Sequence, residues 1–113
     1  MKTNELQLTG KVEDDFYKWY LNWIFLNKTY LSLNFSEDQI INNWKSLNSS
    51  EQWGVLQFYF EFKKIDIDYV YDNEVFIINY KYNITETSKK ENIRILARYE
   101  CIKECCTILN QLL

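Results

Sequence analysis

Histidine and proline are absent from this chain, and glycine occurs only at Gly10 and Gly54. Without histidine the chain lacks the commonest general base at neutral pH and the commonest metal ligand. Two isolated glycines exclude a phosphate-cradling P-loop and a dinucleotide fingerprint. The opening MKTNELQLTGK holds no apolar core of a signal peptide, and no apolar run approaches the length of a membrane span. The expected location is therefore the cytoplasm, with no membrane partner. The formal charge is −3, so the basic excess of a dedicated nucleic-acid binder is missing and direct DNA binding is not expected. No cofactor and no metal site is expected.

What is present is aromatic. The chain has 113 residues, 47% apolar and 26% charged, an ordinary balance for one compact domain spanning 1–113. Trp, Tyr and Phe make up 18% of it. That many rings fill a core and leave some for a surface, and such residues are enriched at interfaces.

Ser50–Lys81 organises the rest. Ser49 and Gln52 stand three apart, as in a capping box, ahead of a helix from about Glu51 to Lys64. On that helix Trp53, Val55, Leu56, Phe58, Tyr59, Phe60 and Phe62 spread over roughly 220°, where a one-sided surface helix needs a stripe of about 100°. Either the helix is covered from two sides or part of it is a docking face; Gln57, Glu61 and Lys64 mark its wet side. The period then drops to two. A two-residue turn at Asp72-Asn73 would pair Tyr69 with Phe76, Ile67 with Ile78 and Ile65 with Tyr80. Asp66, Asp68, Asn79 and Lys81 would then share the opposite face, and a one-residue slip would scramble both faces.

Upstream, Thr9 is placed to cap a helix from about Gly10 to Leu26, with Val12, Phe16, Trp19, Tyr20, Trp23 and Leu26 on one arc. Tyr30–Phe35 alternates weakly and offers a possible third strand. Ser36 and Gln39 form a second capping-box pattern before a short helix with Ile40, Ile41 and Trp44 inward. Downstream, Asn83–Ser88 reads as a polar connector. A last helix from about Lys89 places Ala97, Cys101, Ile102, Cys105, Ile108, Leu109 and Leu112 inward. The fold class expected is α+β: three to four helices on one face of a small antiparallel sheet, built on a hairpin over 65–82 with a possible strand at 30–35.

Few constellations here carry chemistry. Cys101, Cys105 and Cys106 sit on one helix with no histidine and no fourth thiol, which disfavours zinc and favours small core residues. Cys106 reads as the one nearer an edge and so the more reactive. Asp66 and Asp68 project from one strand face roughly 7 Å apart. They are read first as a solvated face, then as a partner-binding patch, and last as a pair for acid/base catalysis. Arg94 and Arg98 either pair with an internal acid such as Asp66 or Asp68, or anchor an acidic partner. Lys63, Lys64, Lys81, Lys89, Lys90 and the two arginines, with Tyr80, Tyr82 and Tyr99, are either scattered solvated charge or a patch able to contact single-stranded RNA.

Several of these stretches resemble a family of small accessory proteins from phages, prophages and mobile elements of Bacteroidetes. The likeness lies in Leu8-Thr9-Gly10-Lys11, Asp15-Phe16, Trp19-Tyr20 and Gln52-Trp53-Gly54-Val55. It continues in Arg94, Ala97, Arg98, Cys101-Ile102, Cys105 and Ile108-x-Asn110. Cysteines stand at Cys101 and Cys105 where that pattern has alanines, and Leu26–Ser49 lies outside it. The resemblance implies a non-enzymatic inhibitor of host defence, in its sharpest form an anti-CRISPR acting on a Cas nuclease such as the RNA-targeting Cas13b or its guide-RNA complex. An immunity or antitoxin protein and a small RNA-binding module are the alternatives. The expected contact surface joins Asp66, Asp68, Lys81, Arg94 and Arg98 with the rings of Tyr69, Tyr82 and Tyr99.

Overall fold

A computed structural model describes residues 6–26, 34–70, 75–81, 83–87 and 94–113, and for 94–96 the backbone only. The elements are α1 (Lys11–Leu26), α2 (Glu37–Ser46), α3 (Ser49–Phe62), β1 (Ile65–Val70), β2 (Val75–Tyr80), β3 (Asn83–Glu86) and α4 (Arg94–Asn110). The strands form one antiparallel sheet in the order β1-β2-β3. α3 packs on β1 and α4 on β2, with α1 against α2, α3 and α4. The class is α+β, as expected.

The first hairpin has the register its side-chain pattern demands. Ile65 faces Tyr80, Ile67 faces Ile78 and Tyr69 faces Phe76. Each pair sits under the helices, while Asp66, Asp68 and Asn79 fall on the other face. The turn at Asp72-Asn73 lies outside the described residues.

The third strand is a correction. Of Tyr30–Phe35, residues 30–33 lie outside the described residues, Asn34 is helical and Phe35 is in no strand. The strand that joins β2 is β3, in the stretch read as a polar connector. Tyr80 pairs with Asn83, so only Lys81 and Tyr82 intervene, and Lys81 takes a positive φ of 57°. Thr87 then fastens the strand's end: its Oγ1 accepts from the Phe76 N–H at 2.7 Å, and its own N–H donates to the Phe76 carbonyl at 3.0 Å. β3 leaves Asn83, Ile84 and Glu86 exposed, so no apolar alternation announces it.

Phe16 stands at the centre of the aromatic core. Its ring centroid lies 4.5 Å from Trp44, 5.2 Å from Tyr59 and 5.6 Å from Tyr20. The buried stripe of α1 is Val12, Phe16, Tyr20 and Ile24, in strict steps of four. Leu26, expected on that arc, is 73% exposed. Half-buried Trp19 and Trp23 stack on each other at 5.5 Å along its margin. Beside them the Tyr59 hydroxyl donates to Asp15 Oδ2 at 2.7 Å, and Lys63 Nζ meets the same oxygen at 2.7 Å.

Capping explains where the helices start. Ser36 and Gln39 form the expected box before α2. The box before α3 is Asn48 with Glu51, one residue earlier than Ser49 and Gln52. Gln52 is buried and engaged elsewhere: its amide N–H donates to the Trp44 carbonyl and its oxygen accepts from the Leu6 N–H, both at 3.2 Å.

α1 is capped from the far end of the chain. Asn110 Oδ1 accepts the Val12 N–H at 3.1 Å, and Asn110 Nδ2 donates to the Thr9 carbonyl at 3.0 Å. One carboxamide therefore meets an orphan N–H of α1 and holds the strap before it. Gly10 makes room for this. Its φ is +61°, and a Cβ there would lie 2.7 Å from Asn110 Oδ1. Lys11 Nζ adds a bond to the Leu113 carbonyl at 3.0 Å.

Candidate protein-docking surface

Two surface features adjoin along α3. The first is an aromatic ridge. Phe58 and Phe62, one turn apart, are 59% and 61% exposed. The Trp23 ring of α1 lies 6.1 Å from Phe58, and the Lys63 ammonium 5.6 Å from the Phe62 ring. The over-wide apolar arc is therefore not covered from both sides. Trp53, Leu56, Tyr59 and Phe60 turn inward, and the remaining rings face solvent.

The second is an open trough of about 370 Å³ beside β1, lined by Gln57 and Glu61 of α3, by Ile65–Asp68 of β1 and by Asn79 of β2. Glu61, Asp66 and Asp68 are all exposed, and no lysine or arginine is among the lining residues. On the open face of the sheet Asp68 stands opposite Ile77, and Ile77 opposite exposed Glu86, so acids on the two outer strands flank an isoleucine on the middle one. Lys64, at a φ of 68°, and Lys81 both flank the Ile65–Tyr80 end.

The expected contact surface is only partly assembled. Asp66 and Asp68 share the open face as read. Lys81 is exposed but belongs to the β2–β3 turn, with Nζ 5.2 Å from the Tyr80 ring. Tyr69 is half-buried on the helix side, 4.9 Å from Phe76, and Tyr99 is half-buried against the core. Arg98 is on that same covered side, its guanidinium 5.4 Å over the Trp53 ring, which in turn lies 4.8 Å from Phe76. Asp66 and Asp68 point away on the opposite face. Tyr82, Lys89, Lys90 and the Arg94 side chain lie outside the described residues. Lys64 and Lys81 sit at one end of the hairpin and Arg98 near the other, about 13 Å apart along a strand. Lys63 is committed to Asp15. The described cations therefore form no single patch.

Among the described residues no group of three His, Cys, Asp or Glu is arranged to hold a metal ion. All three cysteines are buried and free, Cys106 included, which corrects its reading as an edge thiol. The hydrogen bond with Cys101, and then burial, push the Cys105 thiol well above its ordinary range, and burial raises Cys106. A larger depression of about 490 Å³ lies between the Leu6–Leu8 strap, α1 and α2. It holds one acid and one cation, Glu13 and Lys45, and its buried amide Gln52 is already engaged. Among the described residues no helix is long and apolar enough to cross a membrane.

No family model, curated protein or solved structure matches the chain.

Proposed function

We propose that this protein acts without chemistry of its own, by seating the acidic trough beside β1 on a basic surface of a protein partner. The observation that carries the reading is that Glu61, Asp66 and Asp68 all line one open trough whose lining includes no cation. Such a surface repels nucleic acid and attracts Lys- and Arg-rich protein surfaces, and charge complementarity of this kind steers association and selects partners. Surfaces rich in arginine and lysine are those with which nucleases hold phosphate backbones. A partner of that class fits the accessory-protein resemblance. The specific reading is an inhibitor of a host defence nuclease in the host cytoplasm, an anti-CRISPR that covers a Cas effector of the RNA-targeting Cas13b kind, with or without its guide RNA. The same trough favours an immunity protein for a nuclease toxin as the second reading. It weighs against the RNA-binding module, because the described cations are dispersed and the acids are gathered.

The test is recovery of the tagged chain from a lysate carrying CRISPR–Cas, with and without RNase, beside the Glu61→Lys/Asp66→Lys/Asp68→Lys variant. All three positions are exposed, so the variant keeps the fold. The reading expects a Cas effector to be retained by the wild type and lost with the triple reversal. A toxin nuclease retained in the same charge-dependent way selects the immunity reading. Recovery of bulk RNA alone refutes both.

A further inference from the structure

We propose that the outer edge of β1 takes an extended, Lys- or Arg-bearing segment of the protein partner as an added strand, antiparallel to β1, an inference that rests on the trough reading and names the form its partner takes. The hydrogen-bond alternation of the sheet tells which way β1 is open. Phe76 spends its N–H and its carbonyl on Thr87, on the β3 side. In an antiparallel sheet a residue bonds a given neighbour with both backbone groups, and alternate residues bond opposite neighbours. Phe76, Ile78 and Tyr80 therefore bond towards β3. The residues opposite them, Tyr69, Ile67 and Ile65, aim their backbone groups away from β2. Among the described residues no turn, cap or side chain bonds the backbone of Ile65 or Ile67.

The trough runs along that edge. Gln57 and Glu61 belong to the helix that covers one face of the sheet, while Asp66 and Asp68 project from the other face. β2 closes the inner side of β1, so a depression lined from both faces passes over the outer side. Ile65 and Ile67, the residues whose backbone groups point outward, are themselves among its lining. A bare strand edge is a template for another strand, and main-chain bonds of this kind give affinity while alternate side chains give specificity.

The acids choose the occupant. A strand seated there places the residues opposite Asp66 and Asp68 on the open face, two apart. Those are the positions for Lys or Arg, because opposite charges pair across strands and like charges repel. The residues opposite Ile65 and Ile67 turn their amides to β1 and their side chains towards Gln57 and Glu61. A second copy of β1 on the same edge would set Asp66 and Asp68 against the same acids, so the edge refuses itself and accepts a basic strand. The motif is cation, spacer, cation in extended backbone, a narrower demand than net positive charge.

Peptide probes separate backbone pairing from charge. The probe is a short peptide of alternating Thr and Lys, beginning and ending on Thr, made unmodified, with its interior threonines N-methylated, or with its lysines N-methylated. All three forms carry the same charge. Lysines opposite Asp66 and Asp68 leave the threonine amides facing β1. NMR titration of the full chain at low salt reads affinity and the exchange of the Ile65 and Ile67 amides. The form methylated at threonine should bind at least about tenfold more weakly, since two main-chain bonds are lost. The form methylated at lysine should bind like the unmodified peptide and slow exchange at Ile65 and Ile67. Equal binding by the two methylated forms overturns the proposal, as does no binding by any form at millimolar peptide. The Glu61→Lys/Asp66→Lys/Asp68→Lys variant tells the two failures apart. Equal binding that the variant abolishes keeps the acidic trough and rejects the strand. Amide-selective binding that survives the variant overturns the trough reading, and with it the basic character of the strand.

Discussion

Asn110 and Gly10, a hundred residues apart in sequence, are expected to be energetically coupled. Asn110→Ala removes the acceptor of the Val12 N–H and the donor to the Thr9 carbonyl. A helix N-cap is worth about 1 kcal/mol, and a typical further hydrogen bond adds about 1 kcal/mol net. Asn110 is half-exposed, so water recovers part of this and the loss is about 1–2 kcal/mol. Gly10→Ala forces a side chain into left-handed backbone, at about 1–2 kcal/mol. Its methyl also meets Asn110 Oδ1 at 2.7 Å and opens the same clasp, for a total of about 2–4 kcal/mol. With Asn110 already replaced, only the backbone cost remains. The double variant should therefore lose about 2–4 kcal/mol, short of the sum by about 1–2 kcal/mol, well above the scatter of about 0.5 kcal/mol for independent sites. Urea unfolding followed by far-ultraviolet circular dichroism measures all four chains. Thr9→Ala is the control for coupling: it removes the hydroxyl's bond with Cys106 but leaves the carbonyl that the clasp uses, so it should add independently to Asn110→Ala. Additivity within 0.5 kcal/mol, or an Asn110→Ala variant as stable as the wild type, would refute the clasp.

Other expectations follow from single sites. Phe16→Ala should cost about 3–5 kcal/mol, since the ring is fully buried among five others, and denaturant titration checks it. Asp15 gives a pH signature. Burial raises its pKa, but the hydrogen bonds from Lys63 and Tyr59 and the nearby positive charge outweigh it, so the net value lies below the ordinary 3.8. A depressed carboxylate stabilises the fold above its unfolded pKa and stops doing so as pH falls through the folded one. The stability gap between wild type and Asp15→Asn should thus be full at pH 6 and close progressively below about pH 4; a gap that does not change with pH would sink this assignment. Native protein should show no fast-reacting thiol towards a disulfide reagent, with three appearing in denaturant, because Cys101, Cys105 and Cys106 are all buried.

The hairpin was legible because its alternation is strict: Ile65, Ile67 and Tyr69 against Phe76, Ile78 and Tyr80 admit one register only. The helices were legible from their apolar arcs; α1 starts within a residue of its expected place and α3 two residues before it, while the expected start of α4 at Lys89 lies outside the described residues. β3 was not, because an edge strand with exposed side chains writes no pattern, and its turn rests on Lys81 at positive φ, a residue that signals no turn. The box before α3 was misread by one position because Gln52, a good capping residue on paper, is spent inside the core. The candidate surface was half legible. Asp66 and Asp68 could be placed on one face by parity, and Glu61 on the wet side of its helix. That the three acids meet at one trough needed the packing of α3 on β1. Arg98 was misassigned to that surface because helical spacing alone cannot say which side of the sheet a helix covers. Its stacking over Trp53 is a tertiary fact.

The central claim is charge-specific docking through the trough. Its most direct measurement is quantitative recovery of the bound nuclease by wild type and by Glu61→Lys/Asp66→Lys/Asp68→Lys under RNase, normalised to folded protein. Truncating one side of a desolvated charge pair costs about 2–5 kcal/mol, so reversing three acids should lower recovery at least about a hundredfold. Equal recovery by the two proteins would contradict the account and move the contact to another face.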